Sequence, residues 1–250
     1  MHKNIGRLKE DEFVEAIDGK RAEELSHNLK HILREMFGLF DGKEILRCGL
    51  VEKLQKPDFY IEYKGIRKYV SLKTGRAELV SEEHIIPFLK YLRTWHLSEE
   101  SQKTFLYFHF GDGTMDGSGA QRIDHHTFMA KLGPRIALLN QELNQNKDFI
   151  KDVIHRCLFK GTLETNIEAD YIYFGDVNYG VVCSKTQIFK HVDRRDWSFM
   201  DSPHIGPILF RPHARYINKP IKKEALRWKV DFSWANLSAD LEYIAERYDG

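Results

Sequence analysis

Two β-rich runs joined by a tight turn constrain the fold of this chain more than any other feature. The runs PDFYIEY (57–63) and IRKYVSLK (66–73) flank the dipeptide Lys64-Gly65. Glycine in the second of two turn residues is typical of a β-hairpin, because that position requires a positive φ. The sequence therefore predicts a hairpin over residues 57–73.

The turn also predicts the register of the two strands. A two-residue turn pairs Tyr63 with Ile66, and it places Glu62 opposite Arg67. An opposite-charge pair across two strands contributes between a few tenths of a kcal/mol and about 1 kcal/mol. This pair supports the register independently of the turn.

The same register brings an acid and a lysine together. Asp58 faces Ser71, and side chains alternate between the two faces of a strand, so Asp58, Ser71 and Lys73 emerge on one face. Directly opposed Cβ atoms lie about 5 Å apart, and Lys73 is diagonal to the pair. An acid and a lysine are thereby held together on a rigid sheet.

The remaining segments alternate between helical and strand-like patterns, which predicts an α/β protein. We expect a mixed central β-sheet flanked by helices, with a C-terminal β-rich extension. Residues 1–160 would form the core, and residues 161–250 would add the remaining core strands and the extension, within one compact domain. Beside the hairpin, the predicted helices cover 20–37, a segment from near 82–86 to 95, 133–159 and 240–248, and the predicted strands cover 45–51, 104–110, 169–174, 179–185, 206–210 and 226–234.

Composition excludes several classes of protein. The 250 residues contain 38 Lys and Arg against 37 Asp and Glu, so a charged partner has to be recognised locally. The three cysteines, Cys48, Cys157 and Cys183, are odd in number and lack CxxC spacing, which predicts reduced core residues. The charged N-terminus and the lack of an apolar run of about 18 residues predict a cytoplasmic protein that does not enter a membrane.

The hairpin residues resemble the core of the PD-(D/E)xK nucleases, the fold of many restriction enzymes and repair nucleases. The resemblance extends over roughly residues 19–110 and depends on Pro57-Asp58 and on Ser71-Leu72-Lys73. It implies that Asp58 is a Mg²⁺ ligand, that Leu72 lends its backbone carbonyl to the metal, and that Lys73 positions or activates the attacking water. In this family a helix carrying a further Glu usually precedes the core.

Ser71 is where the sequence departs from the family, which has Asp or Glu at this place. A neutral hydroxyl cannot replace an anionic ligand, so another carboxylate has to supply the charge. A subgroup of type II restriction enzymes with Ser or Thr here uses a Glu from the following helix. Glu82 and Glu83 occupy the matching segment, and Glu83 is preferred; Glu23 and Glu24 on the first predicted helix are the alternatives.

A basic stretch near the C-terminus is a candidate DNA surface. Residues 205–229 carry seven cations against the single acid Glu224, with aromatic residues between them. Clustered Lys and Arg release condensed counterions from DNA, although a solvated β-hairpin with core aromatics has the same composition. Possible base contacts come from residues 191–195, Trp197 and His213. The seven cations are Arg211, Arg215, Lys219, Lys222, Lys223, Arg227 and Lys229.

Other motifs predict less. Asp124-His125-His126 is interpreted as a solvated helix start, and no GxxxxGK[ST], GxGxxG or GxSxG pattern indicates nucleotide binding or serine hydrolase chemistry.

The sequence therefore predicts a Mg²⁺-dependent endodeoxyribonuclease that cleaves double-stranded DNA, in its narrower form a type II restriction endonuclease. A homodimer would match a palindromic site, because the two-fold axis of the protein would coincide with that of the DNA. One alternative is a DNA-binding module of the same fold whose site has decayed at Ser71. Another is a protein-interaction domain in which the hairpin is ordinary, and the choice between DNA and RNA stays open.

Overall fold

The computed structural model divides the chain into two compact units that alternate along the sequence. The first unit comprises Met1–Glu78, Ile154–Arg194 and Asn236–Gly250, and the second comprises Leu79–Val153 and Arg195–Ala235. Neither unit coincides with the division that we predicted at residue 160. The structure describes residues 5–52, 56–74, 78–119, 123–162, 167–197, 202–212 and 227–248.

Helices and strands alternate along most of the described chain. In order, the elements are α1 (Ile5–Ile17), a 3₁₀ turn (Ala22–Glu24), α2 (His27–Phe37), β1 (Arg47–Leu50), β2 (Phe59–Tyr63), β3 (Ile66–Lys73), β4 (Leu79–His84), α3 (Ile85–Thr94), α4 (Glu99–Phe110), α5 (His125–Asn144), α6 (Lys147–Ile154), a π-helix (His155–Lys160), β5 (Tyr171–Gly175), β6 (Gly180–Ser184), α7 (Lys185–Arg194), β7 (His204–Ile205), β8 (Ile208–Pro212), β9 (Lys229–Trp234) and α8 (Leu237–Arg247).

The first unit contains a five-stranded sheet in the order β1-β2-β3-β5-β6. Strands β3 and β5 run parallel and the other neighbours run antiparallel, so the sheet is mixed. Helices pack on it, which confirms the predicted α/β class. The hairpin register is also confirmed, because Tyr63 pairs with Ile66 and Glu62 pairs with Arg67. The guanidinium of Arg67 lies 2.8 Å from the Glu62 carboxylate.

Helix α1, which the sequence analysis did not predict, packs against β1 and β2 of this sheet. Phe13 is buried, and its ring stacks on that of Phe59 with 5.1 Å between centroids. At the end of the helix, the Asp18 carboxylate accepts a hydrogen bond of 2.9 Å from the backbone of Cys48. The helix therefore runs in the same direction as β2, with its C-terminal end nearer the hairpin turn and its earlier turns towards Asp58.

The helix predicted over residues 20–37 begins later than expected. Ser26 caps α2 by accepting a 3.3 Å hydrogen bond from the backbone of Leu29, and only a 3₁₀ turn precedes it. A serine oxygen satisfies the free N–H groups of a first turn, so the helix starts after it. The helix ends before Gly38, as predicted, and its buried face consists of Leu29, Ile32, Leu33 and Met36.

The second unit contains an antiparallel sheet in the order β4-β9-β8-β7. Because β4 comes from the middle of the chain and pairs with β9, the C-terminal strands are not a separate extension. The predicted strands at 169–174 and 179–185 correspond to β5 and β6, which complete the first sheet as expected.

The strand predicted over residues 104–110 is wrong, because these residues form the last turns of α4. Ser98 caps this helix by accepting a 3.2 Å hydrogen bond from the backbone of Ser101. The buried side chains Ser101, Thr104, Phe105 and Phe108 follow helical spacing, and Gly111 ends the helix in the left-handed conformation. The capping serine and this spacing outweigh the strand preference of the aromatic run.

Several smaller predictions are confirmed. Asp124 begins α5, and its carboxylate accepts a 3.0 Å hydrogen bond from the backbone of Thr127, as expected for a helix start. The three cysteines are free and buried. Along the described stretches, no helix combines the length and the apolar composition needed to cross a membrane.

Candidate active site

Asp58 lies at the start of β2, at the end of the hairpin away from the turn. Its backbone N–H donates to the carbonyl of Val70 over 2.8 Å. Its carboxylate oxygen Oδ2 accepts a 2.5 Å hydrogen bond from the backbone N–H of Leu72. The neighbouring strand therefore fixes the position of the acid.

Lys73 lies at the end of β3, beside this acid. Its ammonium donates to the hydroxyl of Ser71 over 3.1 Å and to the carbonyl of Leu72 over 3.3 Å. Ser71 is fully buried, whereas Lys73 is half-buried. The backbone N–H of Leu72 therefore holds the Asp58 carboxylate, and the backbone carbonyl of the same residue holds the Lys73 ammonium. The structure brings together all four residues that we predicted from the hairpin.

The second carboxylate that we preferred belongs to the second sheet. Glu83 is a buried residue of β4, opposite Val230, and helix α3 begins two residues later at Ile85. It belongs to the second unit, whereas Asp58 belongs to the first. The neighbouring Glu82 forms an ion pair with Lys229.

Glu23 and Glu24 lie at the far end of the first sheet. The backbone N–H of Glu23 donates to Gly42, and the Glu24 carboxylate caps the backbone of Arg21, which bridges to Ile45. This bridge is level with the hairpin turn. At about 3.3 Å per residue, the turn is on the order of 15–20 Å from the other end of β2. These two glutamates therefore do not meet Asp58.

Glu10 on α1 is an acid that the sequence analysis missed, and it interacts electrostatically with Asp58. It precedes Phe13 by one turn, and Phe13 stacks on Phe59, the neighbour of Asp58. Burial raises the pKa of Glu10, and the negative charge of Asp58 raises it further. Arg7, whose guanidinium lies 2.9 Å from the carboxylate, opposes both effects. The signal that could have found Glu10 is its spacing of three from a buried aromatic residue.

Lys56 is a second lysine at this end of the sheet, and it too was missed. Burial lowers its pKa to about 7, and the positive charge of Lys73 contributes in the same direction, while Cys157 and Asp58 oppose the shift. The residue as a whole keeps intermediate exposure. Two lysines and two carboxylates therefore interact electrostatically around the start of β2.

The oxygen atoms at this site fit a hard divalent cation. Asp58 and Glu10 offer carboxylates and Leu72 offers a carbonyl, which are the ligand types that Mg²⁺ takes together with water. Burial and the charge of Asp58 both make ionised Glu10 unfavourable, and a bound cation would favour its ionised form. Within the described ranges, no group of three or more His, Cys, Asp and Glu side chains could hold a metal ion.

The described part of the basic stretch lies on β8 and β9 of the second sheet and in the residues just before β9. Arg211 on β8 is exposed and pairs with Asp231 on β9, and Lys229 forms its ion pair with Glu82. The carbonyl of Arg227 is 2.9 Å from the ring of His109. Four of the predicted DNA contacts and His213 lie outside the described residues: Arg215, Lys219, Lys222 and Lys223.

Two of the residues considered for base contacts are part of the interior. His191 on α7 is buried against the rings of Tyr243 and Tyr248. Trp197 is buried beneath the guanidinium of Arg195, which lies 4.7 Å from the ring centroid. Packing accounts for both side chains.

No protein-family model matches the sequence, and no curated protein matches it. Among solved structures, the chain is similar to the restriction endonuclease MspI, which was crystallised in complex with its cognate DNA. The two chains are 11% identical, with a TM-score of 0.42 over 82% of this chain and 78% of the other. The function is therefore inferred from the geometry of the site and not from this similarity.

Proposed function

We propose that the protein is a Mg²⁺-dependent endodeoxyribonuclease that hydrolyses phosphodiester bonds of double-stranded DNA. One observation carries the proposal: the backbone of Leu72 holds an acid and a lysine side by side, through 2.5 Å to Asp58 and 3.3 Å to Lys73. Both side chains are fixed by a sheet, which provides the preorganisation that phosphoryl-transfer chemistry requires.

In this proposal, Asp58 and Glu10 hold the cation, and the carbonyl of Leu72 is a third ligand. A bound Mg²⁺ polarises a phosphoryl oxygen and lowers the pKa of a coordinated water. Lys73, anchored on Ser71, orients the attacking water and stabilises the negative charge that develops on the phosphoryl group. Ser71 then needs no charge of its own, because its hydroxyl only positions the lysine.

Glu10 is our candidate for the missing acid, and Glu83 is kept as the alternative. Glu10 is favoured because it lies one helical turn before Phe13, whose ring stacks on that of Phe59 beside Asp58. Glu23 and Glu24 are not proposed as ligands, since they lie at the hairpin-turn end of the sheet.

The choice of DNA as substrate is supported by the local excess of cations between residues 205 and 229. The narrower form of the proposal is a type II restriction endonuclease that acts as a homodimer on a palindromic site. The second candidate, a DNA-binding module without activity, is favoured by Ser71, where the related nucleases carry an acid.

Incubation with plasmid DNA in Mg²⁺ or in EDTA tests the proposal, together with the variants Asp58→Ala and Lys73→Ala. We expect nicking or linearisation in Mg²⁺ alone, and its loss in both variants. Lys64→Ala is the matched control, because this lysine sits in the turn of the same hairpin. Salt-sensitive binding without cleavage would identify the binding module, and cleavage at the wild-type rate in either active-site variant would refute the assignment.

A further inference from the structure

His204 is a fully buried histidine at the start of β7 in the second unit, outside the proposed active site. Its ring nitrogen Nε2 lies 2.6 Å from the backbone carbonyl oxygen of Trp197, and its Nδ1 lies 2.9 Å from that of Ser202. Carbonyl oxygens only accept hydrogen bonds, so each ring nitrogen has to donate one. A neutral imidazole carries a single N–H, whereas an imidazolium carries two.

Two asparagine side chains of α5 fix the backbone around this ring. The amide of Asn140 donates to the carbonyl of Ser202 over 3.1 Å and accepts from the backbone N–H of His204 over 3.1 Å. The amide of Asn144 donates to the carbonyl of His204 over 3.0 Å and accepts from the N–H of Gly206 over 2.6 Å. The Ser202 carbonyl is therefore held beside the ring. A neutral ring would leave a nitrogen lone pair facing a carbonyl oxygen in a fully buried site, which is unfavourable.

Two carbonyl oxygens stabilise a positive charge on this ring. Within the described ranges, the His204 ring forms no ion pair with a carboxylate. Helix α5 contacts it through uncharged asparagines, and the opposed residue on β8 is Leu209. Hydrogen bonds from a charged donor are the stronger kind, so the two carbonyls favour the imidazolium. The charged residues of the adjoining segments are Arg195 and Asp196 before Trp197, Lys147, which donates to the carbonyl of Arg195, and Arg211, which is exposed on β8.

We propose that His204 is an imidazolium in the folded protein, so that folding of the second unit takes up a proton at neutral and higher pH. The inference is independent of the proposed nuclease function. An unfolded histidine has a pKa of about 6.5. Below that value both states carry the proton and the two hydrogen bonds contribute fully; above it only the folded state carries the proton, so stability falls as the pH rises.

The direct test is an NMR measurement on the wild-type protein. Long-range ¹H–¹⁵N correlation spectra distinguish an imidazolium, in which both ring nitrogens carry protons, from a neutral ring, in which one nitrogen does not. At about pH 7.5, a histidine with the ordinary pKa of about 6.5 is neutral in roughly nine molecules of ten. We expect His204, assigned through the backbone resonances, to show two protonated nitrogens at this pH. A ring with one unprotonated nitrogen would overturn the inference.

Unfolding in urea tests the consequence for stability. The four tryptophans lie in the second unit, so their fluorescence follows its unfolding: Trp95, Trp197, Trp228 and Trp234. From about pH 7 to 8, the unfolding constant of the wild type should rise about tenfold relative to that of His204→Gln, because one proton is released. His31→Gln, which removes an exposed histidine of α2, should follow the wild type. Parallel pH profiles of the wild type and a folded His204→Gln protein would contradict the inference, and where His204→Gln does not fold, the wild-type spectrum decides alone.

Discussion

Replacing Glu10 by Gln should uncouple the stability of the protein from Mg²⁺. The substitution keeps the size of a half-buried side chain and removes one of the two carboxylates that we propose as metal ligands. Loss of a group that orients a metal site typically costs 10- to 100-fold in affinity, and loss of a direct ligand should reach at least the upper value. The consequence can be measured without any cleavage assay.

The size of the effect follows from mass action. At a Mg²⁺ concentration a hundredfold above the wild-type Kd, binding stabilises the native state by about 2.7 kcal/mol. A hundredfold weaker variant would gain only about 0.4 kcal/mol under the same conditions. For a chain of this size, about 2.3 kcal/mol corresponds to roughly 5–9 °C in Tm. Thermal melts in Mg²⁺ and in EDTA should therefore show a metal-dependent shift in the wild type that Glu10→Gln has largely lost.

Without metal, the same variant should be at least as stable as the wild type at neutral pH. Burial and Asp58 raise the pKa of Glu10 despite its ion pair with Arg7, so the ionised form costs stability. An acid with a raised pKa in the folded state destabilises it as the pH rises through that value. The advantage of the variant should vanish below the ordinary glutamate pKa of 4.5, where both states are protonated.

The control is Glu12→Gln on the same helix, whose carboxylate forms a 2.8 Å ion pair with Lys9. It should keep the full metal-dependent shift. A Glu10→Gln protein that also keeps it would refute the reasoning, and its loss in Glu83→Gln instead would transfer the role to Glu83.

Two further outcomes follow from the buried groups. Cys48, Cys157 and Cys183 are buried, and burial raises the pKa of Cys48 and of Cys183 to about 12. A thiol reagent at pH 8 should therefore modify all three cysteines only after unfolding, and rapid labelling of the native protein would contradict their burial. Adding Ser71→Asp to Glu10→Gln should restore part of the Mg²⁺-dependent shift in Tm, because position 71 adjoins Asp58. Enlarging this fully buried side chain should lower the free energy of unfolding by about 1–3 kcal/mol. No recovery of the shift in a folded double variant would show that a carboxylate at position 71 cannot bind the cation.

The hairpin could be predicted because its information is local. A two-residue turn, a cross-strand charge pair and the alternation of side chains determine which residues face each other, and they gave the positions of Asp58, Ser71 and Lys73. The helix-capping residues were harder to recognise in the sequence than the hairpin. Ser98 begins a helix through a run of aromatic residues that favours a strand, and the cap together with the helical spacing of the buried side chains distinguishes the two.

The second acid could not be predicted in the same way, because it reaches the site through tertiary packing. The sequence separation between Glu10 and Asp58 does not indicate that they lie close together. Helix α1 buries few large side chains, so its orientation on the sheet could not be inferred from the sequence. The relation arises from the stacking of Phe13 on Phe59, which sets one turn of a helix above the start of a strand.

That arrangement would also allow position 71 to be a serine in the proposed nuclease. Ser71 is fully buried, and its hydroxyl accepts from Lys73, so a second carboxylate there would stand beside Asp58 in a site with little access to water. Placing the acid on a helix instead keeps it half-buried, with Arg7 as a counter-charge until a cation binds. In the proposed nuclease, the second carboxylate would therefore come from the helix instead of the strand, and the anchor of Lys73 at position 71 needs only an oxygen atom.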